Sequence, residues 1–246
     1  MPRVPAWTHR LRPFAVPIWV AIGIVASILV FQTLTGNISD EFVLNEPFLM
    51  SRMIEHIFIS GAAFAIVAAI GVPLGVLIAH AGPALRIPVF LLANLGQAVP
   101  GIGILVLLYA FLGLGFAPTV IALIVYGLLP VLRNTVVGIQ GVDPAAVDAA
   151  RGMGMTRWQA LVRVQFPLAS PLVFAGLRTA LVLIIGTATL GNFIGGGGLG
   201  DVIASGINIS DRIVFVGAVM VASLALVADW ALSMVERVAV PRRVNG

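Results

Sequence analysis

Residues 14–34 carry no charged side chain and few polar ones. A hydrocarbon core of ~30 Å takes about 20 such residues as one helix. Comparable runs recur at 57–79, 87–115, 118–133, 171–193 and 213–235, with at most one charge in each. Lipid offers no partner for a bare peptide group, so runs of this length are predicted as helices. Composition agrees: 60% of the residues are hydrophobic and 10% charged, where a soluble domain carries about 25% charged. The chain reads as an all-α integral membrane protein with about six transmembrane helices.

The first run follows Arg3, Arg10 and Arg12, as a signal peptide would. It is long enough to span, and no small-residue cleavage site follows, so a retained span is expected. In the second run Gly61, Gly71 and Gly75 are predicted close-packing positions. The run at 87–115 is too long for one comfortable span. Pro100, with Gly101 and Gly103 behind it, predicts a break, tolerated where the freed backbone faces protein or a water-filled cavity.

All 14 basic residues are arginine. On a soluble domain that balance would raise nucleic acid as a partner; here the arginines flank apolar runs and report topology, so no nucleic acid is expected. Six spans put both termini, the 80–86 turn and a polar stretch at 139–167 on one side, with twelve of the 14 arginines. The other side holds Arg52, Arg212 and six of the ten acids. The positive-inside rule then predicts a multi-pass protein with both termini and the 139–167 unit in the cytoplasm. The expected organisation is an N-terminal tail, first span and external loop at 1–56, a core at 57–237 containing the 139–167 unit, and a tail at 238–246. There is no cysteine, and His9, His56 and His80 are scattered, so no metal site or thiolate chemistry is expected. Nor do the spans hold paired carboxylates, a His cluster or a Cys nucleophile, and no enzymatic activity is predicted.

The polar stretch is well punctuated. Asp143-Pro144 is a helix start, an acceptor side chain followed by a residue with no N–H to waste. Good helix formers run to Arg151, and Gly152 and Gly154 can leave the helix with positive φ. Thr156 to Gln159 fits a capping box, and Pro167 is expected to stop or redirect the second helix. Two short helices with a glycine elbow fit two roles. One is a docking element for a soluble partner; the other is an amphipathic helix lying on the membrane, with Arg151, Arg157 and Arg163 beside Trp158.

Asp148-Ala149-Ala150, then Gly154, then Val164-Gln165-Phe166-Pro167 resemble the EAA loop of bacterial ABC-importer permeases: Glu-Ala-Ala, three residues, Gly, nine residues, Ile-x-Leu-Pro. Asp148 stands for the Glu, Val164 for the Ile and Phe166 for the Leu. The resemblance covers about 57–237 and implies the five-span core of type I, methionine-permease-like importers, here with one extra N-terminal span. The stretches 126–161 and 176–201, with the region 97–100, are more closely similar to permeases of the glycine betaine/carnitine/choline (osmoprotectant) group.

The resemblance implies a transport subunit whose coupling helix lies in a cleft of a cytoplasmic ABC ATPase dimer. Asp148, Ala149, Ala150, Arg151, Gly152 and Gly154 would form the contact helix and elbow. Trp158 and the second helix, up to Pro167, would brace it against the bundle. It also implies a second permease copy or a sister permease, and a periplasmic or lipid-anchored binding protein. No cofactor is expected on this chain; ATP and Mg would belong to the ATPase.

Gly195, Gly197 and Gly200 satisfy G-x-G-x-x-G, but no strand precedes them and no Lys follows, so a tight reversal is expected rather than a nucleotide site. Arg178 and Asp229 fall at similar depth on consecutive antiparallel spans and are predicted to pair, since either charge alone in the bundle is costly; the other reading has Arg178 snorkelling to the interface. Asn94, Gln97, Pro100 and Asn192 are the pathway candidates, with interhelical hydrogen bonding an equal alternative. The predicted solute class is a compatible solute such as glycine betaine, choline, carnitine or a proline-betaine-like compound. The alternatives are an importer of another small solute such as an amino acid, and an ion-coupled secondary transporter, which would need more intramembrane acids than Asp229.

Overall fold

The computed structural model describes residues 22, 23 and 43–239. The expected first span at 14–34 lies outside them except for Ile22 and Gly23, as do most of the N-terminal tail and external loop and residues 240–246.

Helix α1, Glu46–His80, has 35 residues and is about 52 Å long at a rise of about 1.5 Å per residue. Asn45 starts it, its Oδ1 accepting from the Phe48 N–H at 2.9 Å, with Glu46 and a proline in the first turn. This start signal moves the helix well upstream of residue 57, so the expected boundary at 56/57 falls inside α1. Residues 46–55, read as external loop, are helical. Helices α2, Pro83–Ala98, and α3, Gly101–Leu112, meet at 99°. The break sits at Val99-Pro100: Val99 takes an extended conformation, the one favoured before proline.

Helix α4, Phe116–Gln140, runs on past Arg133, and the polar unit begins with α5, Pro144–Gly152, and α6, Arg157–Ala160. Contrary to expectation, Pro167 stops nothing. The chain stays helical through a π turn, Leu161–Gln165, into α7, Phe166–Ala188, and a 3-10 stretch, Thr189–Ile194. The Phe166 N–H reaches back five residues to Leu161 O. That widened turn accommodates the proline ring, which in a regular helix would clash with the carbonyl four residues earlier. The second short helix is therefore the first turn of a span. After the glycine-rich turn, where a loop was expected, comes α8, Leu199–Ile207, and then α9, Asp211–Ala239.

The described residues contain no strand. Four of their helical stretches are long and apolar enough to cross a membrane, or five counting α2–α3 as one broken span. The core is the trio α1, α4 and α7, packed through Ile59, Val67, Leu123, Val131 and Ile184. Added methyls at Gly71 and Gly75 would sit 2.9 Å from Val131 and 2.6 Å from Thr135, so these two are close-packing positions on α4. Gly61 has nothing within 4 Å among the described residues, so it makes no such contact with them. Helices α8 and α9 seat on the start of α1 through Val43, Leu199, Val202 and Ile213.

Candidate functional site

The α5–α6 unit is fixed at every end. Asp143 Oδ1 accepts from the Ala145 N–H at 2.9 Å. At the other end of α5, Met155 N donates to Ala150 O at 3.2 Å and Gly154 N to Arg151 O at 3.0 Å. This is the Schellman pairing, and it needs a left-handed residue where Gly154 stands; its φ is +88°. Gly152 stays helical. The capping box is present: Gln159 N donates to Thr156 Oγ1 at 3.2 Å, and Thr156 N donates to Gln159 Oε1 at 2.9 Å.

The unit is rooted by Val147, Leu161 and Phe166 against Ile139, Val142 and Ala169. His80 links α1 to it, Nε2 lying 3.1 Å from Gln165 Oε1, and Gln140 Nε2 donates to Ala79 O at 3.0 Å. Asp148, Ala149, Arg151, Gly152 and Gly154 form an exposed face. Ala150 is buried at 1%, so its small size serves the chain's own packing rather than close approach to a partner. Trp158 is 70% exposed and packs on no core cluster among the described residues, whereas Leu161 and Phe166 do. The result is a rigid, small-faced helix held out from the bundle and tied to three span helices.

Arg178 and Asp229 come together. Arg178 Nε and Nη2 donate to Asp229 Oδ1 and Oδ2, both at 2.7 Å, a parallel fork that binds α7 to α9. Glu236 Oε2 lies 3.8 Å from Arg178 Nη1.

The pathway candidates do not share one site. Asn94 donates to Phe90 O at 2.6 Å on its own helix and accepts from Arg133 Nη2 at 3.4 Å. Gln97 donates to Tyr126 O at 2.8 Å. Pro100 caps α3, next to Tyr126, whose hydroxyl donates to Val99 O. These groups brace the broken span against α4. Asn192 lies elsewhere, donating to Asp201 Oδ1 at 2.6 Å.

Asn192 belongs to a cluster that sequence reasoning missed, at the end of the bundle opposite α5. Arg52 Nη1 bonds Glu55 Oε2 at 2.6 Å and Asp201 Oδ2 at 2.8 Å, and its guanidinium stacks 5.2 Å from the Phe48 ring. The N-terminus of α8 has no cap of its own: Gly198, with φ +81°, has no side chain to offer. Helix α1 supplies one. Glu55 Oε2 accepts from Gly198 N at 3.0 Å and His56 Nδ1 from Leu199 N at 3.2 Å. The other ring nitrogen lies 3.0 Å from Ile185 O, so the neutral ring with Nε2–H satisfies both contacts. A methyl at Gly198 would stand 2.9 Å from that imidazole. The available signal was Arg52 as the lone base in an acidic segment, spaced one turn from Glu55.

Comparison with known proteins adds three findings. The family described as "Binding-protein-dependent transport system inner membrane component" matches residues 71–239. The chain is 39% identical over 198 residues to the carnitine transport permease protein OpuCB of Listeria monocytogenes, covering 80% of this chain and 90% of that protein. It is 39% identical over 203 residues to the glycine betaine/carnitine/choline transport system permease protein OpuCB of Bacillus subtilis (80% and 91%). For the osmoprotectant import permease protein OsmW of Salmonella typhimurium, identity is 38% over 207 residues (82% and 96%). Among solved structures, a chain of the MetNI methionine ABC transporter in an inward-facing conformation superposes with a TM-score of 0.71 at 21% identity, over 80% of this chain and 100% of that one. A chain of an amino acid ABC transporter gives 0.60 at 22% identity, over 83% and 98%.

Proposed function

Because the chain belongs to the family of binding-protein-dependent transport system inner membrane components, we propose that it is the permease subunit of an ATP-driven importer for compatible solutes of the glycine betaine, carnitine and choline class. Identity of 39% over nearly the full length of permeases named for carnitine and glycine betaine carries the substrate class. The amino-acid alternative rests on likeness of fold at 21–22% identity. The ion-coupled alternative would leave the capped α5–α6 unit without a role.

In this reading α5 presents Asp148, Ala149 and the Gly154 elbow to a cytoplasmic ATPase pair, on which ATP and Mg reside, while Arg151 turns toward Arg157 and Trp158. The unit is rooted on α1, α4 and α7, so a displacement of α5 moves three span helices as one body, the kind of rigid-body rocking that alternating access requires. A second permease copy or sister permease completes the pathway, and a periplasmic or lipid-anchored binding protein delivers solute. Both termini lie in the cytoplasm. The permease itself catalyses no reaction.

The test is uptake of radiolabelled glycine betaine, carnitine and choline into proteoliposomes holding the permease with its ATPase and binding protein. ATP-dependent uptake of one of these, absent when the ATPase is omitted, supports the assignment. Uptake driven by an ion gradient without ATP, or ATP-dependent uptake of amino acids alone, overturns it.

A further inference from the structure

Two cavities lie side by side at the α5 end of the bundle. One, of about 620 Å³, is an almost wholly apolar slot between α1 and the start of α7, walled by Pro73, Val76, Leu77, Val162 and Phe166. The other, of about 600 Å³, is walled by Val147, Arg151, Arg157 and Gln165. His80, Trp158 and Leu161 line both, so they are two halves of one amphipathic recess. Among the described residues no acid lines either half; Asp148 lines the smaller recess beyond Val147 and Gln165. Among the described residues, neither Arg151 nor Arg157 makes an ion pair. Trp158, the hinge between the halves, is 70% exposed and packs on no core cluster.

An exposed indole beside arginines, at the rim of an apolar slot formed by span helices, marks a membrane–water boundary. We propose that this recess binds one anionic phospholipid of the surrounding bilayer, with an acyl chain in the slot and the headgroup phosphate on Arg151 and Arg157. Charge complementarity selects this occupant: a zwitterionic lipid would bring a cation to a wall that holds two guanidinium groups and no carboxylate. Seated there, the lipid touches α1, α5, α6 and α7 together and completes the bracing that Trp158 does not supply. The inference rests on the chain's place in a membrane-protein family and is independent of the solute carried.

The test uses the full chain in phosphatidylcholine nanodiscs, with brominated phosphatidylglycerol or brominated phosphatidylcholine added at equal mole fraction. The quenching of Trp158 is isolated by subtracting the Trp158→Phe protein. Brominated phosphatidylglycerol is expected to quench at a lower mole fraction, by about fivefold for each guanidinium in contact. Arg151→Gln with Arg157→Gln should abolish the difference, Arg157→Lys should keep most of it, and Val162→Phe, which fills the slot, should weaken quenching by both lipids. Equal quenching of the unsubstituted protein by the two lipids overturns the proposal. A preference that survives the double substitution overturns it too, as does quenching unaffected by Val162→Phe.

Discussion

Removal of one partner of the Arg178–Asp229 pair should reveal an asymmetry set by a third residue. The fork is well formed, with both bonds at 2.7 Å. The arginine side chain is 39% exposed and the aspartate 21%, so the pair is neither buried nor free. Breaking a fully buried pair costs about 3–5 kcal/mol and an exposed one about 0–1. Arg178→Ala strands two carboxylates, Asp229 and Glu236, whereas Asp229→Ala leaves the guanidinium with Glu236, 3.8 Å away. We therefore expect about 2–3 kcal/mol for Arg178→Ala and about 1–2 for Asp229→Ala, with the double mutant near Arg178→Ala and a coupling of about 1–2 kcal/mol. Unfolding of the detergent-solubilised protein in rising dodecyl sulfate, followed by circular dichroism, measures all three. Exchanging the charges, Arg178→Asp with Asp229→Arg, should recover only part of the loss, because Glu236 then faces an aspartate; adding Glu236→Gln should recover more. If Asp229→Ala costs as much as Arg178→Ala, or if the single losses simply add, the pair does not act as the energetic unit described.

At the elbow, Gly154→Val should uncouple transport, because a β-branched residue resists φ near +88°, while Asp148→Glu is tolerated; solute uptake by both proteins in vesicles decides this. At the opposite end, Glu55→Ala with His56→Phe removes the borrowed cap of α8, and the Gly198 and Leu199 amides should exchange hydrogen faster, by about tenfold for a cap worth about 1 kcal/mol or slightly more, as mass spectrometry of peptic fragments can read. In the core, Gly75→Val should push α1 from α4, since even one methyl would stand 2.6 Å from Thr135. Its detergent-solubilised melting temperature should fall well below that of Gly61→Val, a position with nothing within 4 Å.

The parts of this structure legible in the sequence are those fixed by local chemistry. Asp143-Pro144, Thr156 with Gln159, and Pro100 each act on the backbone within a turn of themselves, and each does in the structure what its chemistry predicts. Arg178 and Asp229 were legible because the bilayer adds a global rule: a charge in a span needs a partner at its own depth. Pro167 misled because the accommodating element, the π turn at Leu161–Gln165, carries no residue signature. Trp158 stands exposed rather than against a core cluster of the described residues, and its identity alone could not decide this, because an indole suits an apolar core and a half-wet surface equally well. The Arg52–Asp201 cluster was out of reach for another reason. Its partners are 149 residues apart and meet only once α8 folds back on the start of α1, and α8 itself lies in a stretch that reads as a glycine-rich loop.

Helix α1 makes the two ends of the molecule one mechanical problem. Its last turn is bound to the π turn that follows α6 through His80 and Gln165 and to the end of α4 through Ala79 and Gln140. Its first turns hold α8 and the glycine-rich turn through Arg52, Glu55 and His56. A displacement entering at α5 can reach the far cluster along this rod only if the rod does not bend. Its weak point is Pro73, which has no N–H for the carbonyl four residues back and crowds it as well. Gly71 and Gly75 lie on either side of that proline. Each brings α1 into contact with α4, at Val131 and at Thr135, so the neighbouring helix splints the break. The close-packing glycines thus do more than tighten the core: they hold α1 against α4 on both sides of the turn where its own hydrogen bond is missing.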